Sequence, residues 1–156
     1  MTERSVTHNT FVIERTYDAP VARVFAAFAD WEAKKLWFAG PPDWEQGEAT
    51  MDFRVGGREV NKGGPKGGPV HSMEARYYDI VPDQRIVYAY EMYMGDMRIS
   101  VSVATFELKA DGSRTRLKLT EQGAYLDGFD NGAQREAGTR ELLDALGASL
   151  KTPVKR

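Results

Sequence analysis

The chain contains no cysteine, which excludes disulfides and thiolate-bound metal and fits a reducing, cytoplasmic setting. Its two histidines, His8 and His71, are too few to suggest a zinc site. No metal and no cofactor is expected. Neither sign of charge dominates: 21 basic and 23 acidic side chains leave a formal charge of −2. There is therefore no electrostatic footprint for nucleic acid or an anionic membrane surface. Long apolar runs are also missing. The longest, Val24 to Ala29, has six residues, far short of the roughly 20 that span a bilayer, so no membrane insertion is expected. Met1 to Thr10 is polar and lacks the apolar core of a secretory leader. No dinucleotide-type glycine fingerprint follows a strand, and neither a P-loop nor a nucleophile elbow occurs.

What is present reads as one soluble domain spanning 1–156, with its core at about 10–150. The 156 residues, 42% hydrophobic and 28% charged, suffice for one buried core. Phe11, Ile13 and Tyr17 alternate with Val12, Glu14 and Thr16, a strand over 10–17. Asp18-Ala19-Pro20 ends it and opens a helix, with Pro20 at the first helical position and Asp18 as a cap. Val21, Val24, Phe25 and Phe28 fall at helical spacing, and a second short helix covers about 30–37.

From Glu48 to Glu121 the pattern predicts only strands. Met51, Phe53 and Val55 alternate up to Gly56-Gly57, which predicts a tight hairpin with positive φ angles. The return strand, Arg58 to Asn61, leads into a glycine- and proline-rich tract read as a mobile flap over 62–69. That tract joins two strands and opens no helix, so it is not a phosphate loop. Strands follow at 72–80, 86–94, 97–109 and 115–121. The 97–109 strand is ambiguous: Ile99, Val101 and Val103 share one parity, Phe106 and Leu108 the other. Either a bulge near Ala104 resets the phase, or one set lies on the back of the sheet as a dimer interface. The end, about 129–150, predicts a helix about 33 Å long. Its small residues Gly132, Ala133, Ala137 and Gly138 come first and its leucines last. Facing the sheet, the small ones predict a void near the start of that helix.

Several stretches carry a family resemblance. Glu14 to Pro20, Val24-Phe25, Asp52 to Arg58 with its Arg-Val-Gly-Gly turn, Asp79 to Tyr88, and Thr105 to Leu108 followed by Gly112 to Leu119 resemble the START-like (SRPBCC) superfamily. Within it they are similar to the C-terminal domain of the activator of the ninety-kilodalton heat-shock-protein ATPase. The resemblance implies an α+β helix-grip fold like that of the birch-pollen allergen, a curved antiparallel sheet around a long C-terminal helix. It also implies a family in which glycine-tryptophan often begins the last helix. Here Gly138 is followed by Thr139, so a large lid residue is lost.

The expected ligand-binding cavity is lined by Trp37, Phe38, Trp44, Met51, Phe53, Met73, Tyr77, Tyr88, Tyr90, Met92 and Phe129, with His71 at its rim. Tyrosine and tryptophan need partners for their polar tips, which a wet cavity supplies, and methionine adapts to a ligand. No catalytic residue is assigned, because Glu74, Arg76 and Glu91 alternate onto the outer face, and Arg54 and Arg58 flank a turn. The favoured expectation is binding or transport of a small hydrophobic or aromatic molecule. The alternatives are a cyclase- or dehydratase-type enzyme, marked by a buried titratable group on the cavity wall, and a module that modulates a chaperone ATPase. The lack of a further N-terminal domain weakens the last.

Overall fold

The computed structural model describes residues 3–154. Strand β1 (Val6–Tyr17) is followed by α1 (Val21–Ala29) and α2 (Trp31–Lys34). Six strands come next: β2 (Trp44–Met51), β3 (Arg58–Pro65), β4 (His71–Val81), β5 (Arg85–Met94), β6 (Met97–Asp111) and β7 (Arg114–Leu126). Helix α3 (Gly132–Ser149) ends the order. The strands form one antiparallel sheet in the order β1-β7-β6-β5-β4-β3-β2. The helix-grip α+β architecture is therefore the observed one. Short turns join neighbouring strands, while α1 and α2 carry the chain from one edge of the sheet to the other. Among the described residues no helix is long and apolar enough to cross a membrane.

Alternation fixes which face of each strand is covered. Ile86 and Tyr90 on β5, Met73, Ala75 and Tyr77 on β4, and Leu117 and Leu119 on β7 are buried in one core with Phe11 and Ile13 of β1. Glu74, Arg76, Arg54 and Arg58 point outward, as the alternation implies, and Glu91 pairs with Arg98 at 2.9 Å on that outer side. Helix α1 drives Val24, Ala27 and Phe28 into the core, where the Phe28 and Phe106 rings lie 4.8 Å apart. Helix α3 runs beside β1 in the same direction. Gly132 sits against Asn9, whose side-chain nitrogen a Cβ there would meet at 1.9 Å. Near the other end Tyr17 donates to the Leu143 carbonyl at 2.8 Å.

The 97–109 ambiguity resolves toward the back of the sheet. Ser100, Ser102, Ala104, Phe106 and Leu108 are buried on β6, as is Ile99, while Val101 and Val103 of the Ile99 parity are 39% and 40% exposed. No bulge occurs near Ala104. The irregularity lies earlier, where Met92 pairs with Ser100 but Tyr93 with Arg98, leaving Ile99 as the extra residue. The inward face is polar at exactly the positions where hydrophobic counting looks for apolar residues.

Several boundaries move. Strand β1 starts at Val6 rather than residue 10, because Val6 to Thr10 pair with Leu126 to Gln122. Pro20 is itself the cap residue of α1, and no side chain caps that helix, so Asp18 does not. The strand expected at Met51 to Val55 lies at Trp44–Met51, and 52–57 form a longer connection that docks on β4. There Gly56 donates to the Tyr77 carbonyl at 2.8 Å and Tyr77 to the Gly57 carbonyl at 3.0 Å. Gly56 alone of the pair has positive φ, at 84°. Gly57 is required for space: a Cβ would lie 2.1 Å from the Asp52 carbonyl oxygen. The first half of the expected flap, 62–65, belongs to β3, where Gly63 pairs with both Gln46 and His71, and Gly64 with Glu45; the rest forms the turn to β4. A Cβ on Gly64 would meet the Pro69 carbonyl oxygen at 2.4 Å, so this glycine permits close approach of backbone.

One buried ion pair ties the helical crossover to the sheet. Lys34 Nζ lies 2.7 Å from Glu59 Oε1, and both side chains are almost wholly buried. The Tyr77 hydroxyl also donates to Glu59 Oε1, and Lys34 Nζ stands 4.5 Å from the centre of the Phe38 ring. Burial pushes the Lys34 ammonium down from its ordinary range, against the opposing pull of Glu59. Removing one partner strands the other charge in the core. Lys34→Met alone is expected to destabilise by about 3–5 kcal/mol, whereas Lys34→Met with Glu59→Leu costs much less. Guanidinium unfolding of the three proteins checks this, and Gly57→Ala in the same series should lose stability through its backbone collision.

Candidate functional site

Between α3, the loop after α2 and the concave face of β4 to β7 lies a cavity of about 740 Å³. Phe28, Trp37, Phe38, Met73, Tyr88, Phe106 and Leu119 make its apolar wall, and Gly138, Thr139 and Leu142 its helical side. An annex of about 140 Å³ borders Phe38, Trp44, His71, Met73 and Met92. The Trp44 and His71 rings lie 4.6 Å apart there. Thr139, a small side chain, borders the main cavity from α3.

The polar end is built around Arg135, which points from α3 into the fold. Its guanidinium donates to Asp130 at 2.5 Å, Ser100 at 2.8 Å, Tyr90 at 2.9 Å and Ser102 at 3.4 Å. The rings of Tyr90 and Tyr125 lie 5.5 and 5.4 Å from its central carbon. The Tyr90 hydroxyl in turn donates to Glu121 Oε2 at 2.8 Å. Burial pulls the Arg135 pKa down, but the facing Tyr90 and Asp130 outweigh it and hold the guanidinium charged. Glu121 goes the other way: burial raises its carboxyl above the ordinary 4.5, only partly opposed by Tyr90 and Arg135. Tyr88 and Tyr90 are also pushed up, chiefly by burial, so both phenols keep their protons at neutral pH.

The expected site residues divide. Trp37, Phe38, Met73, Tyr88 and Tyr90 line the main cavity, and Trp44, Met92 and His71 line the annex with Phe38 and Met73. The other four lie elsewhere. Tyr77 is buried beneath the wall, on Glu59. Phe53 belongs to the 52–57 connection and packs edge-on against Phe25 and Tyr77. Met51, at the end of the edge strand β2, packs on the core outside both hollows. Phe129 is 47% exposed, because left-handed residues Asp127 and Gly128 delay the helix to Gly132. Asn131 caps α3 by accepting from the Gln134 amide at 2.9 Å. Ala133 and Ala137, expected to face the sheet, are exposed; the inward positions are 135, 138, 139 and 142. Arg135, Glu121, Ser100 and Ser102 escaped the sequence reading, since each is a polar residue on a face judged by its apolar members. Some aromatic tips find protein partners: the Trp37 indole donates to the Ala27 carbonyl at 2.9 Å.

Comparisons with known proteins place this geometry. The family model described as Activator of Hsp90 ATPase homolog 1-like protein matches residues 18–154. A solved protein from Rhizobium leguminosarum is 43% identical with a TM-score of 0.91, over 97% of this chain and 100% of that one. The Mll3558 protein from Rhizobium loti is 48% identical with a TM-score of 0.86, over 93% and 99%. CV1439 from Chromobacterium violaceum, 24% identical over 93% and 99%, shares the fold with a TM-score of 0.77. No curated protein matches the chain.

The raised Glu121 carboxyl makes a testable linkage. A carboxyl whose folded pKa exceeds its unfolded value binds its proton more tightly when folded, so its contribution is most favourable at low pH. That contribution falls as pH rises from about 4.5 through the raised folded value. Glu121→Gln, which keeps the shape without the titration, should flatten that fall and narrow the stability gap between acid and neutral pH. Urea unfolding across the range measures it.

Proposed function

This chain belongs to the Activator of Hsp90 ATPase homolog 1-like family, within the SRPBCC superfamily, and we propose that it binds or carries a small hydrophobic or aromatic molecule in the cavity beside α3. The observation that carries this reading is the cavity itself. Its volume of about 740 Å³ falls within the roughly 300–1,000 Å³ of small-molecule sites. Its wall has the composition of such sites, mostly aromatic and apolar with a few convergent polar groups. A dry hollow of that size with no occupant in the cell would sacrifice packing along most of a helix.

A second reading is favoured by one group. Glu121 is a buried carboxyl on the cavity wall, raised toward the range in which a side chain both gives and takes a proton. With Tyr90 hydrogen-bonded to it and Arg135 beyond, it has the make-up of an acid–base centre for a cyclase- or dehydratase-type reaction on a bound hydrophobic substrate. Native mass spectrometry of protein taken from its own cells separates the two. A carrier releases the molecule it bound unchanged; an enzyme returns it altered, for instance short of one water.

Filling the cavity tests the binding reading directly. Thr139→Trp places a large ring at the wall and gives up only the Thr139 hydroxyl's bond to the Arg135 backbone carbonyl, leaving the guanidinium's partners in place. It should leave the protein folded and weaken uptake of a neutral naphthalene probe by at least about tenfold, or about 1.4 kcal/mol. Calorimetric titration of both proteins measures this, and a wild-type protein that takes up no neutral aromatic probe would sink the proposal.

A further inference from the structure

The polar groups of the cavity differ in what they have left to offer. Arg135 has little left to offer: Asp130 neutralises it at 2.5 Å, and Ser100, Tyr90 and Ser102 take the other N–H groups of its two terminal nitrogens, leaving only Nε–H. Tyr90 is also spent, donating to Glu121 and accepting from Arg135. Lys34, at the opposite side of the wall, is held by Glu59. Gln134 and Glu141 stand exposed at the rim. Two wall groups remain. Among the described residues, Glu121 Oε1 and the Tyr88 hydroxyl take part in no hydrogen bond, and both residues border the cavity.

Resting on the binding reading above, we infer that the cavity selects a neutral aromatic molecule bearing a carbonyl oxygen, seated to accept hydrogen bonds from Glu121 and Tyr88. The wiring gives the direction. Glu121 Oε2 already accepts from Tyr90, so in the acid form the proton sits on Oε1 and is aimed at whatever fills the cavity. Tyr88, with its phenol proton intact, is a second donor. Donors on a buried wall call for an acceptor, and a site that leaves them unpaired loses affinity. An anionic head group fits poorly. The one guanidinium in reach is already neutralised by Asp130, so a carboxylate ligand would lose its hydration in an apolar cavity with no free cation to compensate and with the Asp130 charge close by. The groups facing Glu121 are Tyr88 and Tyr90 from β5, Tyr125 on its own strand, Arg135 from α3 and Asp130 from the turn before it. Burial, the largest influence on Glu121, favours its acid form.

Three probes that share one ring and differ in one substituent test the inference: acetylnaphthalene, ethylnaphthalene and naphthoate, each titrated calorimetrically into the full-length protein. On the acid side of the Glu121 titration the ketone should bind about tenfold tighter than the hydrocarbon, with naphthoate weakest. The ketone preference should decline as pH rises through the Glu121 titration. Tyr88→Phe should remove part of it and Glu121→Leu most of the rest, while ethylnaphthalene still binds both variants. Glu121→Gln, whose amide donates at every pH, should retain the preference and lose its pH dependence, which covers the case in which Glu121→Leu does not fold. Equal binding of ketone and hydrocarbon, or naphthoate binding tightest, overturns this inference and leaves the binding reading standing. Failure of all three probes to bind overturns both.

Discussion

The cavity depends on one buried cation. Arg135 reaches from α3 into the space above β5, β6 and β7, and a guanidinium there cannot be packed dry against leucine or phenylalanine. It requires Asp130, the two serines of β6 and the Tyr90 hydroxyl at hydrogen-bond distance. Those partners hold the first half of α3 at arm's length from the sheet. The second half has no such constraint: Leu143 and Leu146 are buried, and Gly147 lets the helix close on the Tyr17 ring. One end of the helix is thus gripped by apolar packing and the other is propped by a polar bridge. The cavity is the space between.

The opposite wall is held by the same physics. Lys34 on α2 is drawn to Glu59 on β3, which positions the segment carrying Trp37 and Phe38 over the concave face. Buried ion pairs contribute little net stability after desolvation, but breaking one is costly, so they fix geometry more than they strengthen it. Apolar surface between two such fixed points cannot collapse inward. This explains how a chain with an ordinary share of hydrophobic residues keeps a hollow of ligand size. It also separates two roles for charge in the site: Arg135 and Lys34 build the walls, whereas Glu121 and Tyr88 face the space with atoms unspent.

Much of the architecture was legible in the residues. The period-two stripes of β4 and β5, the helical spacing of Val24 and Phe28, and the leucines at the chain's end are patterns that burial itself imposes, so reading them recovers the layers. Met73, Tyr88 and Tyr90 border the cavity as expected, because the apolar stripe of a central strand faces the concave side, and Trp37 and Phe38 border it from the connection after α2. The failures share a cause. Phe129 and Ala133 were placed by composition along an assumed helix, and two left-handed residues at 127 and 128 shifted its start and its phase. The glycines at 63 and 64 were read for flexibility, yet neighbouring backbone that only a folded sheet brings near is what requires them.

By itself the sequence determined the order of elements, the antiparallel sheet with its gripped helix, the family and the aromatic character of the wall. The family rests on the resemblance of particular stretches; the rest follows from local periodicity and short turns, which act over a few residues. Tertiary structure alone decided the polar half of the site. Glu121, Arg135 and Tyr90 lie on three different elements, and nothing in the spacing of 90, 121 and 135 marks them as partners. Their chemistry arises from proximity and burial: a carboxylate at a strand end and an arginine on a helix are ordinary surface residues until the fold removes their water. The parity of β6 was likewise decided only there, since Val101 and Val103 satisfy an apolar pattern while Ser100 and Ser102 satisfy the charge that faces them.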